Sequence, residues 1–207
     1  LHNQKTNKRD LANISSKIEQ NFMREKCGSQ DPIWASYGGF NSIKFKDNSF
    51  NVKKLDISVS KLNLLSKNLF LVYTGINKFS HNIEKDKLSK LNKNTKHLLK
   101  IYSLAKNFQY QIMNNKNFDF VGTMLNDYWH IKKALSSKVS NLKIEEIYNE
   151  ALKAGAMGGK IIGSGGGGFM LIYCKKRFHT SLKKRLSKLP IINFKFTNEG
   201  SKIIFKS

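Results

Sequence analysis

The run Gly155-Ala-Met-Gly-Gly-Lys-Ile-Ile-Gly-Ser-Gly-Gly-Gly-Gly-Phe169 decides how this chain is read. Gly163 and Gly165 to Gly168 leave five of six consecutive positions without a side chain, and Ser164 adds only a hydroxyl. Ordering so many glycines costs backbone entropy, so bare main chain is needed there. The usual need is close approach of N–H groups to a phosphate, or of one glycine loop to another. The spacing Gly163-x-Gly165-x-x-Gly168 fits the dinucleotide fingerprint in form, but that fingerprint needs a strand before it and a helix after it. The residues after the loop are Phe169-Met-Leu-Ile-Tyr-Cys174, a continuous apolar run that reads as a buried strand and not as a helix. A Walker A loop fails as well, because Ala154 stands where its first glycine belongs and Ile161 where Ser or Thr is required. A glycine-rich hairpin without a ligand is the plain structural alternative.

Around this run lie 207 residues, enough for one large or two small domains. With 40% apolar residues and a mean hydropathy of -0.45, the chain reads as a water-soluble globular protein. Its longest apolar run, Phe169 to Cys174, is far short of a membrane span, so no membrane partner is expected. Cys27 and Cys174 have neither the number nor the spacing of a disulfide framework or a zinc site, and a reduced, cytoplasmic setting is the simplest reading. The net charge of +23 raises nucleic acid as a partner. Its details argue against one: only four of the 37 basic residues are Arg (Arg9, Arg24, Arg177, Arg185), and the lysines are dispersed among Asn and Ile. Such a charge still draws in anionic small molecules.

Along the chain, Asp10 to Met23 reads as a helix with Leu11, Ile14, Ile18 and Phe22 on one face. Pro32 suits the first turn of a short helix. Ile43, Phe45, Phe50 and Val52 alternate about a turn at 46–49, which predicts a hairpin. Ser58 to Lys67 reads as a linker, and Leu69-Phe-Leu-Val-Tyr73 as a buried strand. Three helical stripes come next: one from Leu98 to Ile112, one on Val121, Met124, Leu125, Tyr128 and Leu135, and one on Ile144, Ile147, Tyr148 and Leu152 with Asn141 as its cap. After the glycine run come strand 169–174, a helix carrying Phe178, Leu182, Leu186 and Leu189, and two strands, around Ile192 to Phe196 and around Ile203 to Phe205. Strands and helices segregate, which predicts an α+β fold.

The glycine run resembles the third motif of the GHMP kinases. Three further segments, in the same order, resemble the heptose-phosphate branch of that family: Cys27-Gly-Ser-Gln-Asp-Pro-Ile-Trp-Ala-Ser-Tyr-Gly-Gly-Phe-Asn41, Tyr73-Thr-Gly-Ile-Asn-Lys78, and Asn126-Asp-Tyr-Trp-His-Ile-Lys-Lys-Ala-Leu-Ser136. The resemblance implies the end of an N-terminal domain over residues 1–62 and a ferredoxin-like C-terminal domain over residues 63–207. Nothing between Leu1 and Asp31 looks like the family's N-terminal phosphate loop, so the chain reads as the C-terminal two-thirds of a longer kinase.

The activity implied is transfer of the ATP γ-phosphoryl, with Mg²⁺, to the anomeric hydroxyl of a sugar phosphate such as D-glycero-D-manno-heptose 7-phosphate. The alternative is an inactive or split-kinase interaction module lacking its own ATP loop. By resemblance, Asp31 is the catalytic carboxylate, though Asp is also an excellent helix N-cap. Glu19, twelve residues before it, is the Mg²⁺ ligand, or a solvated helix-face Glu. Gly163, Ser164, Gly165, Gly166 and Gly167 are expected at the ATP. Gln30, Tyr37, Gly38, Gly39, Tyr73, Thr74, Gly75 and Lys78 are expected at the sugar phosphate, the Tyr-Gly pairs serving equally as core aromatics with turn glycines. Lys78 departs from the family's Arg and meets a phosphate without the bidentate fork. Trp129 and Lys133, i and i+4 neighbours on one helix, are implied as one wall of the acceptor site, with burial in the core the favoured reading of Trp129.

Overall fold

The computed structural model describes residues 6–47, 49–77 and 80–205. It divides into two compact units, Leu1–Ile57 with Phe196–Ser207, and Ser58–Lys195. The sequence division expected after residue 62 therefore lies at Ile57/Ser58, and the last segment goes with the first unit.

In the first unit, α1 (Lys8–Lys17) runs into a π turn (Ile18–Phe22), and after it come α2 (Gln30–Tyr37) and the hairpin β1 (Asn41–Lys46) and β2 (Ser49–Lys54). The hairpin pairs Ile43 with Val52 and Phe45 with Phe50, as the alternation predicts. The expected stripe on α1 does not face a core. Its buried residues are the small Ala12 and Ser16, which let α1 lie close against α2, while Ile14 is 50% and Phe22 81% exposed. The π turn also carries more residues per turn than an α-helix, so an i, i+4 stripe drifts around its axis.

The second unit opens with α3 (Val59–Lys67), where the sequence suggested a linker. Ser58 caps it by accepting from the Lys61 N–H at 3.3 Å, and Leu62 and Leu65, one turn apart, are buried. The helix is held by those two leucines, too few to show as a stripe. Then come β3 (Leu69–Tyr73), α4 (Ser80–Ser89), α5 (Leu91–Asn114), α6 (Asp119–Leu135), α7 (Leu142–Lys153), β4 (Ala156–Ile161), β5 (Phe169–Cys174), α8 (His179–Arg185) and β6 (Ile191–Ile192). The stripes predicted α5, α6 and α7; α4 and β4 were not foreseen. Asn141 caps α7 as expected, accepting from the Ile144 N–H at 3.0 Å.

The strands form one antiparallel sheet in the order β4-β5-β3-β6, with Leu71 opposite both Leu171 and Ile192. In chain order this is β-α-β-β-α-β with the ferredoxin-like strand order, so the fold is α+β. α6 lies on β4 across a glycine pair: a methyl added at Gly158 would stand 2.1 Å from the Gly122 carbonyl oxygen. The core joins Phe70, Val72, Met170 and Ile172 of the sheet to Trp129, Ile144, Ile147 and Leu182 of the helices. Of the two final strands expected, only the two-residue β6 forms. Ile203, Ile204 and Phe205 are exposed and join no sheet.

Candidate functional site

Within the second unit, the glycine run is the connection of the β4–β5 hairpin, so a strand comes after it and both nucleotide-fold fingerprints are excluded. Gly163, Gly165, Gly166 and Gly168 all adopt positive φ. Their bareness is also used by packing. A methyl at Gly165 would lie 3.0 Å from Val139, one at Gly166 2.5 Å from Ile83 Cδ1, and one at Gly167 2.6 Å from the Ile76 carbonyl oxygen. The Gly166 N–H donates to Val139 O at 2.7 Å, which fixes the loop on the segment between α6 and α7.

The Tyr73-Thr74-Gly75 motif is stitched to the same loop. Thr74 is fully buried; its N–H and its Oγ1 both donate to Gly168 O, at 2.9 and 2.8 Å, and the Gly168 N–H returns a bond to Ile76 O at 3.0 Å. Tyr73 packs on Phe169, with ring centroids 5.2 Å apart, and its hydroxyl donates to Asn77 Oδ1 at 3.1 Å. Gly75, at φ +69°, leaves room for the Lys143 ammonium 3.4 Å from where a Cβ would stand. Lys78 lies outside the described residues. Two motifs about ninety residues apart in sequence thus meet at one end of the two central strands, β3 and β5.

Trp129 is in the core as expected, against Tyr148 at 6.3 Å. Lys133 is 5.6 Å from the Trp129 ring centroid and 2.7 Å from Glu145, so its charge is already paired. Lys132 is a residue to which the sequence assigned no role of its own. It is 3% exposed, and its Nζ donates to the Ile161 and Gly163 carbonyls at the head of the glycine loop. The signal was present: a lysine in phase with the apolar stripe of Val121, Leu125, Tyr128 and Leu135 needs a buried acceptor.

In the first unit, Asp31 is exposed in the first turn of α2. Ser29, not Asp31, occupies the N-cap position, so capping does not account for the carboxylate. The π turn holds the loop that leads to it. Gln20 Nε2 donates to Cys27 O at 3.0 Å and to Ser29 Oγ at 3.1 Å, and Glu19 Oε2 accepts from Cys27 Sγ at 3.4 Å. Burial raises the Cys27 thiol pKa, and the Glu19 hydrogen bond with the charges of Glu19, Glu25 and Asp31 raises it further. π turns of this kind are frequent at functional sites. Gln20 was missed in sequence because a glutamine on a helix face has no distinguishing pattern.

Gln30 is exposed and Tyr37 half-buried, edge-on to Phe50 at 6.3 Å. Gly38 and Gly39 admit the chain's own C-terminal segment. A methyl at Gly38 would stand 2.2 Å from the backbone of Glu199 and Gly200, and the Gly39 N–H donates to Thr197 O at 3.1 Å. No cluster of three or more His, Cys, Asp or Glu side chains fit for a metal occurs among the described residues. Among them, too, no helix is long and apolar enough to cross a membrane.

Residues 109–185 match the family described as GHMP kinases C terminal, in line with the resemblance carried by the sequence motifs. Over 199 residues it is 30% identical to the D-glycero-alpha-D-manno-heptose 7-phosphate kinase of Campylobacter jejuni, covering 93% of this chain and 58% of that protein. It is also 27% identical over 176 residues to the bifunctional fucokinase/GDP-fucose pyrophosphorylase of Arabidopsis thaliana, covering 80% of this chain and 16% of that one. Among solved structures, a candidate sugar kinase from Campylobacter jejuni superposes with a TM-score of 0.71 at 27% identity, over 96% of this chain and 57% of the other. A D-glycero-D-manno-heptose 1-phosphate kinase from Bacteroides thetaiotaomicron gives 0.73 at 20% identity over 98% and 57%, a likeness of fold. The chain thus spans less than two thirds of the length of these relatives.

Proposed function

We propose that this chain serves ATP-dependent phosphoryl transfer to the anomeric hydroxyl of a sugar phosphate of the heptose 7-phosphate class. The observation that carries the reading is the likeness to a heptose 7-phosphate kinase over 93% of the chain. Asp31 accepts the proton of the sugar hydroxyl as that oxygen attacks the γ-phosphorus; the bond to the β-phosphate oxygen breaks and ADP leaves. Gln30, Tyr37, Tyr73, Thr74, Gly75 and Lys78 are proposed on the sugar-phosphate side, with Gly38 and Gly39 setting the turn after Tyr37. Gly163 to Gly167 are proposed on the ATP side. Glu19 fits Mg²⁺ as a single carboxylate, with ATP phosphates and water completing the oxygen shell. The metal would offset charge on the transferring phosphoryl group.

The test is ADP release by the whole gene product that carries this sequence, with ATP and Mg²⁺ and a panel of heptose 7-phosphate, hexose 6-phosphate, free hexose and mevalonate. Highest kcat/KM on the heptose phosphate supports the reading, and equal or better use of mevalonate defeats the substrate class. Nucleotide binding without ADP release on any acceptor favours the inactive or split-kinase module.

A further inference from the structure

Two ammonium groups from two helices hold the carbonyls of the glycine loop. Lys132 of α6 donates to Ile161 O at 3.0 Å and to Gly163 O, and Lys87 of α4 donates to Ser164 O at 2.7 Å while paired with Glu84 at 2.8 Å. The peptide bonds are trans, so the C=O and N–H of one peptide unit point in opposite directions. The unit between Ile161 and Ile162 shows the consequence: its carbonyl meets Lys132, and its N–H donates to Phe169 O across the hairpin at 2.9 Å. In the two units held by Gly163 O and Ser164 O, the N–H groups belong to Ser164 and Gly165. Neither has a protein acceptor among the described residues. Ser164 Oγ is also buried without a partner, in a residue only 8% exposed. Buried donors left unpaired cost about 1–3 kcal/mol each, which is tolerated where a ligand completes them.

We infer that Lys132 and Lys87 are positioning residues for the glycine loop. By holding the Gly163 and Ser164 carbonyls they orient the N–H groups of Ser164 and Gly165, with the Ser164 hydroxyl, as a donor set for a phosphate group. The Lys87 charge is already paired with Glu84, so its effect on an anion is through the orientation of the loop. The identity of that phosphate as ATP rests on the kinase reading above; the hold of the lysines on the loop does not.

The experiment is amide NMR on the 207-residue chain, in the wild type and in Lys132→Met, Lys87→Met and Lys87→Arg, with titration of each by MgATP. Lys87 sits at the solvent edge, its side chain 16% exposed, so its variants remain informative if Lys132→Met fails to fold. The expected result is that Lys87→Met displaces the Ser164 and Gly165 amide signals and weakens MgATP binding roughly tenfold, as loss of a charge-assisted bond would, while Lys87→Arg restores both. Ser164 and Gly165 signals unchanged in Lys87→Met would overturn the inference. Displaced signals in the variants, with no response of the wild type to MgATP, would instead sink the ATP reading and leave the lysine clamp standing.

Discussion

At Gly158 a single methyl group separates this fold from a broken one. It would stand 2.1 Å from Gly122 O and 2.8 Å from the Asn126 backbone nitrogen, atoms of α6 that cannot rotate away. Gly158→Ala therefore costs about 3 kcal/mol or more by overpacking, read as a lowered urea midpoint. At Gly166 the same methyl meets the tip of Ile83, which can move, so positive φ is the larger obstacle there. Bare backbone across 163–168 was legible in the sequence, but not which neighbour each glycine makes room for, since Val139, Ile83 and Ile76 reach the loop only through the fold. Asp31 was legible as an acid before a proline. That Ser29 takes the cap position, leaving the carboxylate exposed, is a matter of where α2 begins. Asp31→Asn in the whole gene product is expected to lower kcat at least about 100-fold with nucleotide affinity retained; near-wild-type turnover would remove Asp31 from the role.

Among the elements, the helices with a wide apolar stripe and a cap were readable, and those held by two residues were not. α7 shows both signals, and Asn141→Ala is expected to cost ~1 kcal/mol, visible as a lower thermal midpoint with the sheet signal intact below it. α3 carries its weight on Leu62 and Leu65, with Leu65 only 2% exposed. Leu65→Ala is expected to cost about 3 kcal/mol, which an irregular linker would not show. α1 is the converse case: a clear stripe was present, but Ala12 and Ser16 make the close contact, because small side chains let two helix backbones approach.

On the scale of the whole molecule, burial makes several neutral acids resist ionisation, three of them strongly. It pushes Tyr148 and Tyr173 up to about 12 and Cys174 up to about 11. Charges on Glu145 and Asp127 add to the shift at Tyr148, and Asp119 adds to that at Tyr173. Each folded pKa lies above its reference value, so the stability these groups supply is complete below pH 9 to 10 and is lost as pH rises through 11 to 12. Thermal midpoints are expected to fall steeply across that window, and less steeply in Tyr173→Phe. A flat profile above pH 10 would contradict the burial.

What the sequence determined alone is local: the glycine hairpin strand, the β1–β2 register, the three striped helices and the order of the four family motifs. These depend on periodicity and on residues that are neighbours in the chain. Only the tertiary structure decided that Thr74 bonds to Gly168, that Gln20 braces the loop before Asp31, and that Lys132 and Lys87 grip the glycine loop. A hydrogen bond between residues far apart in sequence leaves no period behind. It is set by which elements the core brings side by side.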